Sequence, residues 1–146
     1  MICFVLIAFL IYVGMLLHTY ICKGDIECLS DVAYDKHRFL FPVIMDFLSF
    51  SLFVVMIDKT PDAWQFLCYL AMIGGVGVGC TPYKDKDMYI FHYIFALTTI
   101  VSIFLLWVVH GEWWIPFIFS LAGLRKKWLL GIELSMAASA FAYCLI

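Results

Sequence analysis

"KDKDMYIFHYIFALTTIVSIFLLWVV", residues 84–109, decides how this chain is built. Four alternating charges open the stretch. The remainder is almost wholly apolar, with His92 set about one helical turn inside it. A helix needs ~20 apolar residues to cross the ~30 Å hydrocarbon core of a bilayer, and this run meets that requirement. The question it raises is why an imidazole stands where water is scarce.

The rest of the chain has the same character. Of its 146 residues 66% are apolar, 18% aromatic and only 14% charged, and the mean hydropathy is +1.03. A soluble domain carries roughly 25% charged residues, because its surface faces water. The solvent here is lipid. Apolar runs cover 2–22, 39–57, 64–80, 89–109, 113–124 and 128–146. With their flanking cap residues they predict helices over about 2–22, 39–57, 61–80, 88–109, 112–124 and 128–146. The expected fold is all-α: one polytopic membrane domain over 1–146, a bundle of six transmembrane helices with a short fifth. That fifth run, "WWIPFIFSLAGL", would reach only ~18 Å as a helix. Paired tryptophans at one end and "RKK" after the other still favour a crossing. The first run lacks the basic start and small-x-small cleavage site of a signal peptide, so it is read as a retained helix.

Helix punctuation agrees with these limits. In "DKTPDAW" Thr60 is placed to cap the third helix, with Pro61 and Asp62 in its first turn. Pro82 ends that helix and Asp87 is placed to cap the fourth. Gly75/Gly79 and Ser135/Ser139 form small-xxx-small faces that let helices approach closely in lipid. They pack the monomer or, in the alternative, dock a partner.

Lysine and arginine set orientation. Loops 23–38, 81–88 and 125–127 hold Lys23, Lys36, Arg38, Lys84, Lys86, Arg125, Lys126 and Lys127; elsewhere there is only Lys59. Cytoplasmic loops are the ones enriched in these residues, which places the three loops in the cytoplasm and both termini outside. The expected location is a bacterial cytoplasmic membrane. Cys22 and Cys28, which flank a short stretch at the start of the first loop, could form a disulfide in an oxidising compartment, but a reducing cytoplasm would keep them as thiols. The six cysteines include no C-x-x-C, which removes the signature of a zinc ribbon or thioredoxin-type pair. A net charge of −2 and the lack of a basic block exclude a nucleic-acid partner.

Four ionisable residues fall inside the apolar runs: His18, Asp46, His92 and Glu133. Counted from the end of its own helix, each lies roughly 5–11 Å below the surface of the first, third and fifth loops. Ala96 and Thr99 follow His92 at helical spacing, Ala137 and Ala140 follow Glu133, Ser49 follows Asp46, and Gly14 precedes His18. Small companions mark the face that looks into a bundle, and intramembrane ionisable residues normally pair there. The expectation is a polar vestibule open to one side, with His92 and Glu133 interacting at its centre. In the first loop Ser30, Asp31 and Tyr34 are placed to cover its mouth.

Such a vestibule suits a small polar solute or a lipid headgroup, and membrane lipid is the expected partner. Two alternatives stand beside this. His18, Asp46, His92 and Glu133 are also the candidate ligands for zinc, which accepts imidazole and carboxylate donors. That would make the chain a metal-dependent intramembrane hydrolase of a lipid amide or ester. No two histidines share a helix at ligand spacing, so each ligand would come from a different helix, and no metal or other cofactor is assigned. A structural or accessory subunit that packs through the small-residue faces is the second alternative.

At "LSDVAY", "QFLCYLAMIGGVGVGCTPY", "FHY", "WWIPF" and "WLLGIELSMAASAFAY" the chain resembles a group of small bacterial six-helix membrane proteins and, more distantly, the DRAM-like membrane proteins. The shared pattern falls here on Ser30, Asp31, Pro82, His92 and Glu133; His18 and Asp46 lie outside it. The resemblance implies a six-helix fold and no established activity. DRAM-like proteins would place both termini in the cytoplasm, opposite to the charge count followed here. Single-cysteine labelling decides between these orientations. Lys126→Cys should resist an impermeant reagent in intact cells while Lys59→Cys reacts, and the reverse result inverts the topology.

Overall fold

In the computed structural model the described residues are 2–24, 39–81, 84–112, 114–115 and 128–145. Among the described residues the helices are α1 (Ile2–Lys23), α2 (Leu40–Lys59), α3 (Gln65–Cys80), α4 (Tyr89–Val109) and α5 (Trp128–Leu145), with a 3₁₀ turn at Asp62–Trp64 before α3. No strand occurs among the described residues. Among the described residues four segments are long and apolar enough to cross a membrane: Cys3–Ile21, Leu40–Lys59, Asp62–Cys80 and Tyr89–Val109. α5, the sixth apolar run of the sequence, contributes a shorter apolar stretch, Ile132–Leu145. Most of the expected fifth helix, 112–124, lies outside the described residues.

Helix α3 is the centre of the arrangement, packing closely against α2 on one side and α4 on the other. Its glycines explain why. A Cβ on Gly75 would collide with the Ser49 side chain, and one on Gly79 would come 2.8 Å from Met45 Cβ; both neighbours belong to α2. A Cβ on Gly77 would strike the Phe95 ring, and one on Gly74 would lie 2.8 Å from the Phe95 carbonyl oxygen and against Thr99; these belong to α4. One helix thus presents two glycine edges to two neighbours. Lipid supplies no hydrophobic drive between helices, so van der Waals contact at close range takes its place. The Gly75/Gly79 face is therefore engaged within the chain, and Ser135 and Ser139 are likewise buried.

α5 packs against α1, α2 and α4. Aromatic contacts fix it: Phe141 meets the Phe9 ring edge-on at 5.2 Å between centroids, and Tyr143 meets Trp107 at 5.4 Å. The outer faces carry large apolar side chains such as Leu10, Ile21, Val43 and Leu97, as a lipid-facing surface requires.

Helix ends differ from the sequence reading in two places. Thr60 does not cap α3. It is the C-cap of α2, and its hydroxyl donates back to the Met56 carbonyl at 2.7 Å. Asp87 does not cap α4; no side chain caps its N-terminus, and the turn before it is organised by Asp85, whose carboxylate accepts from the Asp87 N–H at 3.0 Å. Short polar side chains bond whichever backbone group the turn brings nearest: for Thr60 that is a carbonyl behind it, for Asp85 an N–H two residues ahead. At the other end of α4, Gly111 takes φ +77°. Its N–H bonds the Val108 carbonyl and the Glu112 N–H that of Trp107, both at 3.0 Å, the paired closure in which a left-handed glycine ends a helix.

The glycine edges give a sharp test. Gly75→Ala should destabilise the protein by about 1–3 kcal/mol through overpacking. Ser49→Ala in the same chain should recover part of that loss by removing the colliding oxygen. Gly14→Ala, whose Cβ would meet nothing within 4 Å, should be neutral or stabilising. Thermal unfolding in detergent measures all three, and equal losses at Gly14 and Gly75 would refute the packing account.

Candidate functional site

Where α1, α2, α3, α4 and α5 face one another they form a partly open cavity of about 150 Å³. Small residues make the room: Ala71 and Gly75 on α3, Ala96 on α4, and Ala137 and Ala140 on α5 all line it. Leucine, isoleucine, methionine and phenylalanine side chains supply most of the remaining wall, so the interior is mainly apolar instead of the polar vestibule expected. Among the described residues its polar side chains are Glu133, Tyr12, Ser49 and Thr99, with the Cys68 thiol.

Two of these hydroxyls already commit their protons. Ser49 donates to the Met45 carbonyl at 2.7 Å and Thr99 to that of Phe95 at 3.0 Å. Each therefore turns acceptor lone pairs outward. Tyr12 is buried at 6% exposure, and its hydroxyl has no hydrogen-bond partner among the described residues. It stands within electrostatic range of Glu133.

The sequence-predicted residues separate. Glu133 lines the cavity together with Ala137 and Ala140, the companions predicted to share its face. Ala96, Thr99 and Ser49 also line it, but His92 and Asp46 do not. His18 is on the exposed side of α1, as is Gly14. Asp46 is half-buried on α2, with Oδ1 lacking a partner among the described residues, and lies near Cys80. Ser30, Asp31 and Tyr34, like Cys28, lie outside the described residues. No group of three or more His, Cys, Asp or Glu side chains converges as a metal would need among the described residues. His18, Asp46, His92 and Glu133 are accordingly not brought together as one ligand set.

His92 has another task. Its ring is buried, and Nδ1–H donates to the Thr81 carbonyl at 2.5 Å; the Val78 carbonyl faces the same ring. Both carbonyls belong to the end of α3. In a continuing helix the Val78 carbonyl would accept from the N–H of residue 82, and residue 82 is proline, which has none. An orphaned carbonyl in lipid costs several kcal/mol. The imidazole of the next helix bonds the Thr81 carbonyl in this same turn and stands beside that of Val78, clasping α4 to the end of α3.

At the opposite ends of these helices the structure builds a hydrogen-bonded chain that the sequence reading missed. Thr60 has one hydroxyl proton, committed to the Met56 carbonyl, so it accepts from Tyr143 at 2.9 Å. Tyr143 in turn accepts from His110 Nε2–H at 2.5 Å. The Cys68 thiol donates to Thr60 at 3.3 Å. The result ties α2, α3, α4 and α5 together from an exposed imidazole to a buried threonine. A signal for it existed: His110 ends its run and Tyr143 stands three residues from the end of another, which puts both at one membrane surface.

Comparison with family models, with curated proteins and with solved structures finds no match for this chain.

The clasp assigned to His92 is a donation, and it can be tested as one. His92→Phe keeps a ring but removes the donor, and should cost about 1–3 kcal/mol of stability. His92→Gln restores an N–H and should lose less. Equal losses in the two variants, measured by thermal unfolding in detergent, would show that the ring only fills space.

Proposed function

We propose that the chain is an integral membrane protein that binds a small amphipathic molecule in the cavity between its helices. The observation that carries this reading is the cavity itself, with Glu133 in an otherwise largely apolar wall. Binding sites in membrane bundles lie between helices and combine apolar walls with a few placed polar groups. An intramembrane carboxylate is by default a functional group, because its burial is expensive. The mainly apolar wall favours a ligand with an apolar body and one polar end over the small polar solute or lipid headgroup that the sequence suggested.

The finer topology belongs to the same proposal: six crossings, loops 23–38, 81–88 and 125–127 in the cytoplasm, and termini outside a bacterial cytoplasmic membrane. The charge count supports it. Glu133 then lies about 7 Å below the cytoplasmic surface at the helical rise, within reach of molecules entering from that leaflet.

Filling the cavity tests the reading. Ala137→Leu and Ala140→Leu each replace a small wall residue with a larger one directed into the space. Native mass spectrometry of protein extracted gently from membranes should detect a small bound molecule in wild type and a loss of about tenfold or more in occupancy in the filled variants, the size of effect that 1.4 kcal/mol produces. Identical spectra for folded wild-type and filled proteins would remove the cavity as a binding site.

A further inference from the structure

We infer that the ligand of this cavity is a neutral molecule ending in a hydroxyl group, and that Tyr12, Ser49 and Thr99 recognise that end; the inference rests on the cavity being the binding site. Tyr12 lines the cavity and is buried, yet its hydroxyl has no hydrogen-bond partner among the described residues. A buried donor left unpaired is costly in a medium of low dielectric. Ser49 and Thr99 are in the opposite condition. Both have given their protons to backbone carbonyls, those of Met45 and Phe95, and what each keeps is the capacity to accept. Among these three hydroxyls one proton is unspent and two oxygens are ready to accept. A ligand hydroxyl complements both: its lone pairs receive the Tyr12 proton, and its own proton goes to Ser49 or Thr99.

Depth and size narrow the class. Counted at ~1.5 Å per residue from the helix ends at Lys23, Leu40 and Tyr89, Tyr12, Ser49 and Thr99 all lie roughly 14–17 Å into the bundle. Three helices thus bring their hydroxyls to one level, about the middle of a ~30 Å hydrocarbon core. Moving a charge to that depth costs far more than moving a hydroxyl, whose loss of water two hydrogen bonds offset. A space of about 150 Å³ is the size that admits a benzene ring in a protein interior, so the enclosed part of the ligand is roughly six carbon atoms. Ala137 and Ala140 make room for that apolar body. The cavity is partly open, so a longer chain can continue from it into the bilayer.

Three probes of one size separate the terms: hexanol, which accepts and donates, hexanone, which only accepts, and chlorohexane, which does neither appreciably. Each is titrated against the purified full chain in phosphatidylcholine nanodiscs, and binding is read as the saturable rise in Tm. Hexanol should bind about tenfold more tightly than chlorohexane, with hexanone between them. Tyr12→Phe should weaken hexanol and hexanone about fivefold and leave chlorohexane unchanged. Without any probe, Tyr12→Phe should leave Tm unchanged or raised, because it removes a hydroxyl that bonds nothing. A lowered Tm would show that proton already committed and would overturn the assignment. Hexanone binding as tightly as hexanol would remove Ser49 and Thr99 from the site. Dioleoylglycerol in the nanodiscs assigns the source of the hydroxyl: competition with hexanol makes it a neutral lipid, no competition makes it a free alcohol, and the assignment holds in both cases. If all three probes bind wild type equally and Ala137→Leu abolishes them, the cavity reading stands and the hydroxyl assignment falls. If no probe stabilises wild type more than Ala137→Leu, both fall; Ala140→Leu serves where Ala137→Leu does not fold. The ranking of the three probes on wild-type protein decides the matter alone should Tyr12→Phe fail to fold.

Discussion

Everything in this bundle depends on how near α3 can come to its two neighbours. In water, helices are pressed together by the release of solvent from apolar faces. In lipid that drive is absent, and association rests on contact at short range. Gly75 and Gly79 open one edge of α3 to Ser49, Met45 and Pro42 of α2, while Gly74 and Gly77 open the other to Phe95 and Thr99 of α4. The three helices form a close-packed slab. The cavity follows from that slab, because α5 and α1 lie across it on alanines and aromatic rings and do not fill the space between.

Backbone satisfaction is the second constraint, and two prolines make it visible. Pro61 removes the N–H that the Ile57 carbonyl would have used in a continuing helix, and Pro82 does the same to Val78. At each of these helix ends a side chain from a neighbouring element bonds a backbone carbonyl. Gln65 Nε2 donates to the Ile57 carbonyl at 3.2 Å and is also 3.3 Å from that of Thr60, and His92 serves the end of α3. An imidazole deep in an apolar run is thus accounted for by the carbonyls opposite it, before any chemistry is asked of it. The repair also does structural work, since each bond joins one helix to the element that follows.

The membrane class, the main helices and the close-packing glycines were legible in the sequence because they follow from composition and from spacing along single helices. Companions at helical spacing likewise identified the cavity wall: Ala96, Thr99, Ser49, Ala137 and Ala140 all line it. The ionisable residues that pointed to those companions did not all follow. His92 belongs to the end of α3, and His18 is exposed beside Gly14. A glycine beside a histidine shows only that one face is narrow; whether another helix uses it depends on helix rotation, which no local pattern encodes. Thr60 was misplaced for a related reason. Its hydroxyl can serve the helix behind it or the helix ahead, and the choice is settled by Tyr143, which lies far away in sequence.

A cavity lined by alanine and glycine at five positions raises a question of cost. Left unfilled, a partly open space of about 150 Å³ forgoes part of the contact that larger side chains would supply. One leucine in place of Ala137 or Ala140 would recover part of it, so the composition of the wall is not the one that maximises stability. The two hydrogen-bonded ends show where compensation lies. His92 ties α4 to α3 at one membrane surface, and the chain through His110, Tyr143 and Thr60 ties four helices at the other. Between these fixed ends the middle of the bundle can hold a partly open interior without loosening.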